Sequence, residues 1–321
     1  MKLKSDYTQA TGLTVVIPVY RSATTLPKLV ARLAEVLPEC ATEYEVILIC
    51  DGGQTDETWA AVCAGANQYP WLRGINLARR CGQHGATLVG LRAAQFDLTV
   101  TMDDDLQHPP EEIPLLLLHL RERVDLVYGR PADNLDGWIR NFTSRLIREV
   151  IKHLHGVSHA RDITAFRAMR TNLRDRFRNP ESSFVLLDLV LAWVTTRILS
   201  VPVRFDRRAA GKSTYSPVRR LSLGLTLTAT YSPHSLRLMS LLPVAWTILA
   251  LGAVASGIFT YYCLPLKEGT AVLQIQTTTL IAGVGIQLLL LLAIGGLVAK
   301  IYVASIGVPQ AIIQETINLR Q

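Results

Sequence analysis

The chain has 321 residues, of which 49% are hydrophobic, with 33 lysines and arginines against 26 acids and a formal net charge of +7. That length exceeds one typical small domain, and a mean hydropathy of +0.25 is high for a wholly soluble protein. The basic excess does not imply nucleic acid: much of it lies between Arg121 and Arg220, where anionic lipid headgroups or a phosphate substrate explain it more simply.

The opening stretch, MKLKSDYTQATG, has no apolar h-region, so no cleavable secretion signal is expected. Short apolar runs then alternate with helical patterns. Leu13 to Val19 reads as a buried strand, followed by a helix through TLPKLVARLAEVL. Tyr44 to Cys50 is the next strand, with a helix from Asp56 to Ala66. LRGINL is a third strand, with a helix after Gly82. Asp97 to Met102 is a fourth strand and Val124 to Gly129 another. This alternation predicts an α/β domain with a doubly wound, mostly parallel, Rossmann-like sheet. Such sheets bind ligands beyond the carboxyl ends of their strands.

Three groups are expected along that rim. Pro18, Val19 and Tyr20 end the first strand, Asp51 with Gly52 and Gly53 the second, and Asp103, Asp104 and Asp105 the fourth. Each alone reads equally well as a cap or turn; three on one rim point to a site. Extended backbone sends Asp103 and Asp105 to the same side and Asp104 away, and Gln107 can return an amide oxygen to the same place. Hard oxygen donors of this kind suit Mg²⁺ or Mn²⁺ shared with substrate phosphates. Pro109 and Pro110 set the following turn, and EEIP opens a helix. His84 stands at a helix N-terminus, where an anion-binding role and a structural one are both open. His108 reads as part of the proline turn.

Ser216 to Leu238 mixes basic and apolar residues and reads as helices lying on a membrane surface. Two uncharged runs follow, Leu241 to Tyr262 and Thr279 to Ala299. Each is long enough to span a bilayer core of roughly 30 Å, and neither has the polar face of a buried core helix. Small residues, among them Gly252 and Gly283, allow close helix contact and homo-oligomer association. Arg219, Arg220 and Arg237 precede the pair and Lys300 and Arg320 follow it, which puts both chain ends in the cytoplasm. The expected organisation is a cytoplasmic domain over 1–215, juxtamembrane amphipathic helices over 216–240, two transmembrane helices over 241–300 and a cytoplasmic tail over 301–321. The localisation is then a multi-pass cytoplasmic (inner) membrane protein. Cys40, Cys50, Cys63, Cys81 and Cys263 show no metal or redox spacing and read as plain thiols.

The ordered segments VVIPVY, CDGGQTDET, GQHGA, MDDDLQHPPEEIP, YGR and DITAFR resemble family 2 glycosyltransferases of the GT-A fold. More narrowly, they resemble the polyprenyl-phosphate glycosyltransferases, a group including dolichyl-phosphate mannose synthase and the bacterial undecaprenyl-phosphate glucosyl and aminoarabinose transferases. The resemblance runs from about residue 13 to the C-terminus. It implies metal-dependent, inverting transfer from a nucleotide diphosphate sugar, UDP-sugar favoured, to a polyprenyl phosphate. It places the nucleotide sugar on Pro18, Tyr20, Asp51, Gly82, Asp103, Asp104, Thr164, Arg167, Arg208 and Ser213. It places the metal on Asp103, Asp105 and Gln107, and the lipid phosphate on Arg130 and Arg140. Asp103, Asp105, Arg130, Arg140 and Asp162 form the implied catalytic set, with Asp162, Thr164 and Arg167 beside the sugar pocket and Gly211 to Ser213 in a loop over the diphosphate. Partners implied are the donor, the polyprenyl phosphate and membrane lipids, with no nucleic acid. The chain departs from the family pattern where PVYNE is PVYRS (Ser22), DDGS is CDGG (Cys50) and GESK is GKST (Lys212, Thr214). The competing reading is an inactive membrane-anchored scaffold that binds nucleotide sugars; the intact Asp103, Asp105, Gln107, Arg130 and Arg140 speak against it. No Q-x-x-R-W motif of a processive polysaccharide synthase occurs.

Overall fold

A computed structural model describes residues 9–52, 57–132, 163–176, 187–206 and 311–319, together with helical residues scattered between 244 and 302. The chain divides into two compact units. One comprises 1–148, 157–214 and 307–321, and the other 149–156 and 215–306.

The first unit is built on one eight-stranded sheet. Its strands are β1 (Ala10–Val19), β2 (Ala41–Cys50), β3 (Leu72–Leu77), β4 (Leu98–Thr101), β5 (Leu126–Pro131), β6 (Arg167–Arg170), β7 (Ile198–Val203) and β8 (Ile313–Ile317). Their spatial order is β7-β5-β6-β4-β1-β2-β3-β8. Strands β3, β2, β1 and β4 run parallel, as do β5 and β7. β6 is antiparallel to both β4 and β5, and β8 is antiparallel to β3. The parallel-rich α/β sheet expected from the sequence is present, with five strands where the apolar runs lie.

The helices are α1 (Leu26–Cys40), α2 (Thr58–Gln68), α3 (Gly82–Ala93), α4 (Ile113–His119) and α5 (Leu187–Val194). In α1 the buried residues Leu26, Leu29, Val30, Leu33 and Leu37 recur at three- and four-residue spacing, so one stripe meets the sheet. The two-residue period of β1 serves both faces. Leu13, Val15, Ile17 and Val19 join the cluster that includes α1, while Val16 meets Ile47, Ile49, Ile75 and Ala86 of α3 on the other face. In the middle of β2, the buried Glu45 accepts from Thr14 Oγ1 (2.7 Å) and the Gln95 N–H (2.7 Å), and pairs with Arg73 Nη1 of β3 at 2.5 Å.

Strand β8 comes from the end of the chain, beyond both apolar runs. The Ala78 N–H donates to the Ile312 carbonyl at 2.8 Å, and Asn318 Nδ2 donates to Ala66 O at 2.8 Å and Leu72 O at 3.2 Å. The chain therefore leaves this unit and returns to its sheet.

The second unit is described in part. Its described helical residues carry large apolar side chains that remain exposed, including Ile248, Leu249, Leu251, Ile281, Leu289 and Leu292, each above 60%. Gly283 is buried against Trp246: a Cβ built on it would stand 1.9 Å from the indole. The two apolar segments thus meet where a glycine makes room, the close approach that small residues permit. Among the described residues no helix is long and apolar enough to cross a membrane. The expected juxtamembrane helices at 216–240 lie outside the described residues, as do parts of both expected spans.

Candidate functional site

The parallel strands bring their carboxyl ends to one rim, and the antiparallel β6 brings its first residue there, since Arg167 is in register with Thr101 of β4. Pro18, Tyr20, Asp51, the three aspartates, Arg130 and Arg167 therefore share that edge.

Beyond β1, Arg21 takes a left-handed backbone (φ 55°) and Ser22 is buried. The Asp104 carboxylate turns back to this loop. It accepts the Tyr20 N–H at 3.0 Å and bonds the Ser22 hydroxyl. Ser22 itself is fixed by its N–H to Thr58 Oγ1 at 2.9 Å. Asp104 thus ties two strand ends together, in a stretch where residues 104–106 bend away from extended backbone. Burial pushes its carboxyl above the usual range, opposed by the Ser22 hydroxyl and the Tyr20 N–H. The serine that replaces the family's acid has a bonding role here.

Beyond β2, Asp51 is 3% exposed. Its two oxygens accept the N–H groups of Cys81 (2.6 Å) and Gly82 (2.9 Å) at the start of α3, where a carboxylate also complements the helix dipole. Gly82 has φ +81°, a backbone that a side chain rarely tolerates. The Arg80 guanidinium lies 3.9 Å from the Tyr20 ring centroid, and its Nε is 3.9 Å from Asp51. Tyr20, Asp51, Arg80 and Gly82 form one cluster.

Beyond β4, the aspartate loop is held from several sides. The Asp103 N–H donates to His108 Nδ1 at 3.0 Å, Gln83 Nε2 donates to Asp103 Oδ1, and the Gln107 N–H donates to Asp105 Oδ1 at 3.1 Å. Leu106 takes φ 64°, an uncommon conformation for a branched residue, at a cost of about 1–3 kcal/mol that its place in the core offsets. Among the described residues no group of three or more His, Cys, Asp or Glu side chains stands together as a metal site.

His108 has a structural place in this loop. It is 5% exposed, stacked on Phe166 (5.2 Å) and edge-on to Phe205 (5.0 Å), and it anchors the Asp103 backbone. Burial drives its imidazole well below the ordinary range, with Asp105 opposing. The folded chain holds it neutral, whereas the unfolded chain takes up a proton near the ordinary pKa of 6.5. Stability should therefore be full above about pH 6.5 and fall as pH drops below it. Urea midpoints at pH 7 and pH 5, with EDTA present, should show that decline, and His108→Leu should show a shallower one.

Thr164 donates its hydroxyl to the Gly129 carbonyl at 2.7 Å. Arg167 is buried, donates from Nε to Thr101 Oγ1 at 3.1 Å and pairs through Nη1 with Asp188 of α5. A cavity of about 280 Å³ opens between α3 and this pair, with Asp103, Gln83, His84, Thr164, Arg167 and Asp188 in its wall. Arg130 is exposed at the end of β5. Arg140, Asp162, Arg208, Gly211, Lys212 and Ser213 lie outside the described residues.

Sequence reasoning missed Arg80, Gln83 and Asp188. Asp188 left one trace, a lone acid in the otherwise apolar helix LDLVLAWV.

The family model for glycosyl transferase family 2 matches residues 14–179, just over half of the chain. Among solved structures, the chain is similar to glucosyl-3-phosphoglycerate synthase from Mycobacterium tuberculosis in complex with Mn²⁺, UDP and glucosyl-3-phosphoglycerate. Identity is 18% and the TM-score 0.48, over 69% of this chain and 78% of that one. The same enzyme with Mn²⁺ and UDP-glucose matches at 17% identity and TM-score 0.47, over 69% and 77%. S. aureus TarS, residues 1–349, matches at 19% identity and TM-score 0.44, over 61% and 59%.

Proposed function

The chain belongs to glycosyl transferase family 2 and is a glycosyltransferase, and on that premise we propose that it moves a sugar from a nucleotide diphosphate sugar, by preference a UDP-sugar, to the phosphate of a polyprenyl phosphate such as undecaprenyl phosphate. The observation that carries the reading is the aspartate loop at the sheet's rim. It stands between the Tyr20–Asp51–Arg80 cluster on one side and the Arg167–Asp188 cavity on the other. The first suits a nucleoside and the second a sugar ring.

Asp103, Asp105 and the Gln107 amide offer only oxygen donors on a loop fixed by His108, which fits a hard divalent cation sharing its remaining ligands with a diphosphate. Bound there, Mg²⁺ or Mn²⁺ would neutralise the charge that develops on the leaving diphosphate. The other groups bind and orient. Tyr20 offers a ring face to the base, and the α3 N-terminus, held by Asp51, directs its dipole at the rim. Arg130 and Arg140 would receive the acceptor phosphate with forked bonds. An acceptor phosphate oxygen is already ionised at neutral pH. It attacks the anomeric carbon, the carbon–oxygen bond to the diphosphate breaks, and the nucleoside diphosphate leaves with the electron pair. No proton is moved, so no general base is required, and displacement from the opposite face inverts the anomeric centre.

A lipid-borne acceptor requires a membrane site. The exposed apolar side chains of the second unit support two membrane-spanning helices. The pairing of β8 with β3 supports an even number of crossings, because both ends of the apolar segment belong to the same unit. With the arginines flanking that segment, this favours a cytoplasmic-membrane enzyme whose termini are both cytoplasmic.

The test is to incubate the purified full chain with a panel of UDP- and GDP-sugars and a polyprenyl phosphate. The expected product is a lipid-linked sugar phosphate whose anomeric configuration, read by NMR, is opposite to the donor's. Retained configuration would refute direct displacement. Transfer only to water-soluble acceptors would refute the lipid phosphate.

A further inference from the structure

We propose that Asp188 is the residue that reads the donor's sugar ring, accepting a hydrogen bond from one hydroxyl or amino group through Oδ2, with Arg167 as its positioning residue. This rests on the reading of the rim as a nucleotide-sugar site.

Asp188 sits on the first turn of α5 with its side chain 15% exposed. The pairing is one-sided. Oδ1 takes Arg167 Nη1 and the Tyr128 hydroxyl at 3.3 Å, whereas His84 Nδ1 stands 4.0 Å from Oδ2, beyond hydrogen-bond reach. Asp188 lines the cavity, and among the described residues none makes a hydrogen bond to Oδ2, which leaves that oxygen with lone pairs to offer. Arg167 is locked from behind by Thr101 Oγ1 and lies under Tyr128, 5.9 Å from the ring centroid. The carboxylate thus has one orientation.

A buried ion pair seldom stabilises a fold better than apolar side chains of the same size. A pair with one carboxylate oxygen left over at a cavity wall has a clearer use as a recognition device. Sugar hydroxyls and amines donate hydrogen bonds; a diphosphate only accepts them. A fixed acceptor at the back of the cavity therefore favours the ring over the diphosphate, leaving that group at Asp103 and Asp105. The volume, about 280 Å³, lies just below the roughly 300 Å³ where drug-sized sites begin, room for one ring. His84 lines the same wall. Burial lowers its pKa against the opposing pull of Asp188, so the neutral ring can donate or accept at a neighbouring hydroxyl.

Calorimetry on the purified full chain, with Mn²⁺ present, tests this. The ligands are UDP, the UDP-sugar selected by the transfer assay, and the monodeoxy analogues of that sugar. The wild type should bind one deoxy analogue at least tenfold more weakly than the parent, because the site leaves a buried acceptor unpaired. The double variant Arg167→Met/Asp188→Leu removes both charges together. It should bind UDP as before and lose the discrimination, the ratio falling to about one. Asp188→Asn keeps an acceptor for Arg167 and should lose part of it. If either folded variant kept the wild-type ratio while UDP binding was unchanged, the inference would fail and the glycosyltransferase reading would stand. A wild type that bound neither UDP nor any UDP-sugar, and transferred none, would remove the donor reading itself.

Discussion

Replacing Asp105 by alanine should lower sugar transfer by about a thousandfold while leaving the fold intact. A loss of that size is typical when a group stabilising transition-state charge is removed. Asp105 has two roles that the substitution removes together, metal ligand and acceptor of the Gln107 N–H at 3.1 Å. Asp105→Asn separates them. Its amide oxygen can still cap the loop, but a neutral amide is a poorer partner for a divalent ion. If charge is what matters, both variants lose transfer to a similar degree, with thermal midpoints close to the wild type. An asparagine variant with near-normal turnover would show that Asp105 shapes the loop and does not hold an ion. Single-turnover rates at saturating donor distinguish the outcomes.

The second large effect is on stability, far from the chemistry. Glu45→Ala should destabilise the first unit by about 3–5 kcal/mol, because it leaves Arg73 buried and charged without its partner. Arg73→Ala should cost a similar amount. The pair is embedded: Glu45 also takes the Thr14 hydroxyl and the Gln95 N–H. A double replacement by Leu and Met therefore recovers part of the loss and leaves those two donors orphaned, at about 1–3 kcal/mol. Urea unfolding of the three variants gives the coupling directly. Transfer per folded molecule should not change, since Glu45 lies five positions before the end of β2 and Asp51 immediately after it. A double variant less stable than both singles would contradict the pairing.

Those two sites differ in how they could be read beforehand. The aspartate loop was legible because β4 is a short buried strand and its ending in carboxylates is a local signal. β1, β2, β3 and β5 announced themselves for the same reason, apolar runs closed by Gly, Asp or Arg. The remaining strands carry no such signal. β6 has four residues and begins with Arg167, whose charge is matched by an aspartate 21 positions later. β7 contains Pro202, tolerated because it is an edge strand. β8 is polar, and its partner β3 lies more than 230 positions earlier. The site divides along the same line. Tyr20, Asp51 and Asp103 could be placed from strand ends. His108 could not, because its neighbours Phe166 and Phe205 come from distant segments. Asp188 and Arg80 matter only through three-dimensional company.

Ser22 shows what a departure from a family pattern can mean. An acid is absent there, yet the position still fixes the rim, through the bond from its hydroxyl to Asp104. The lost carboxylate is replaced by a link between two strand ends.

Treating the purified full chain with EDTA and measuring sugar delivered to polyprenyl phosphate is the most direct test of a divalent ion at the carboxylate rim. Transfer should fall to background and return when Mg²⁺ or Mn²⁺ is added in excess. Undiminished transfer in the chelator would contradict it.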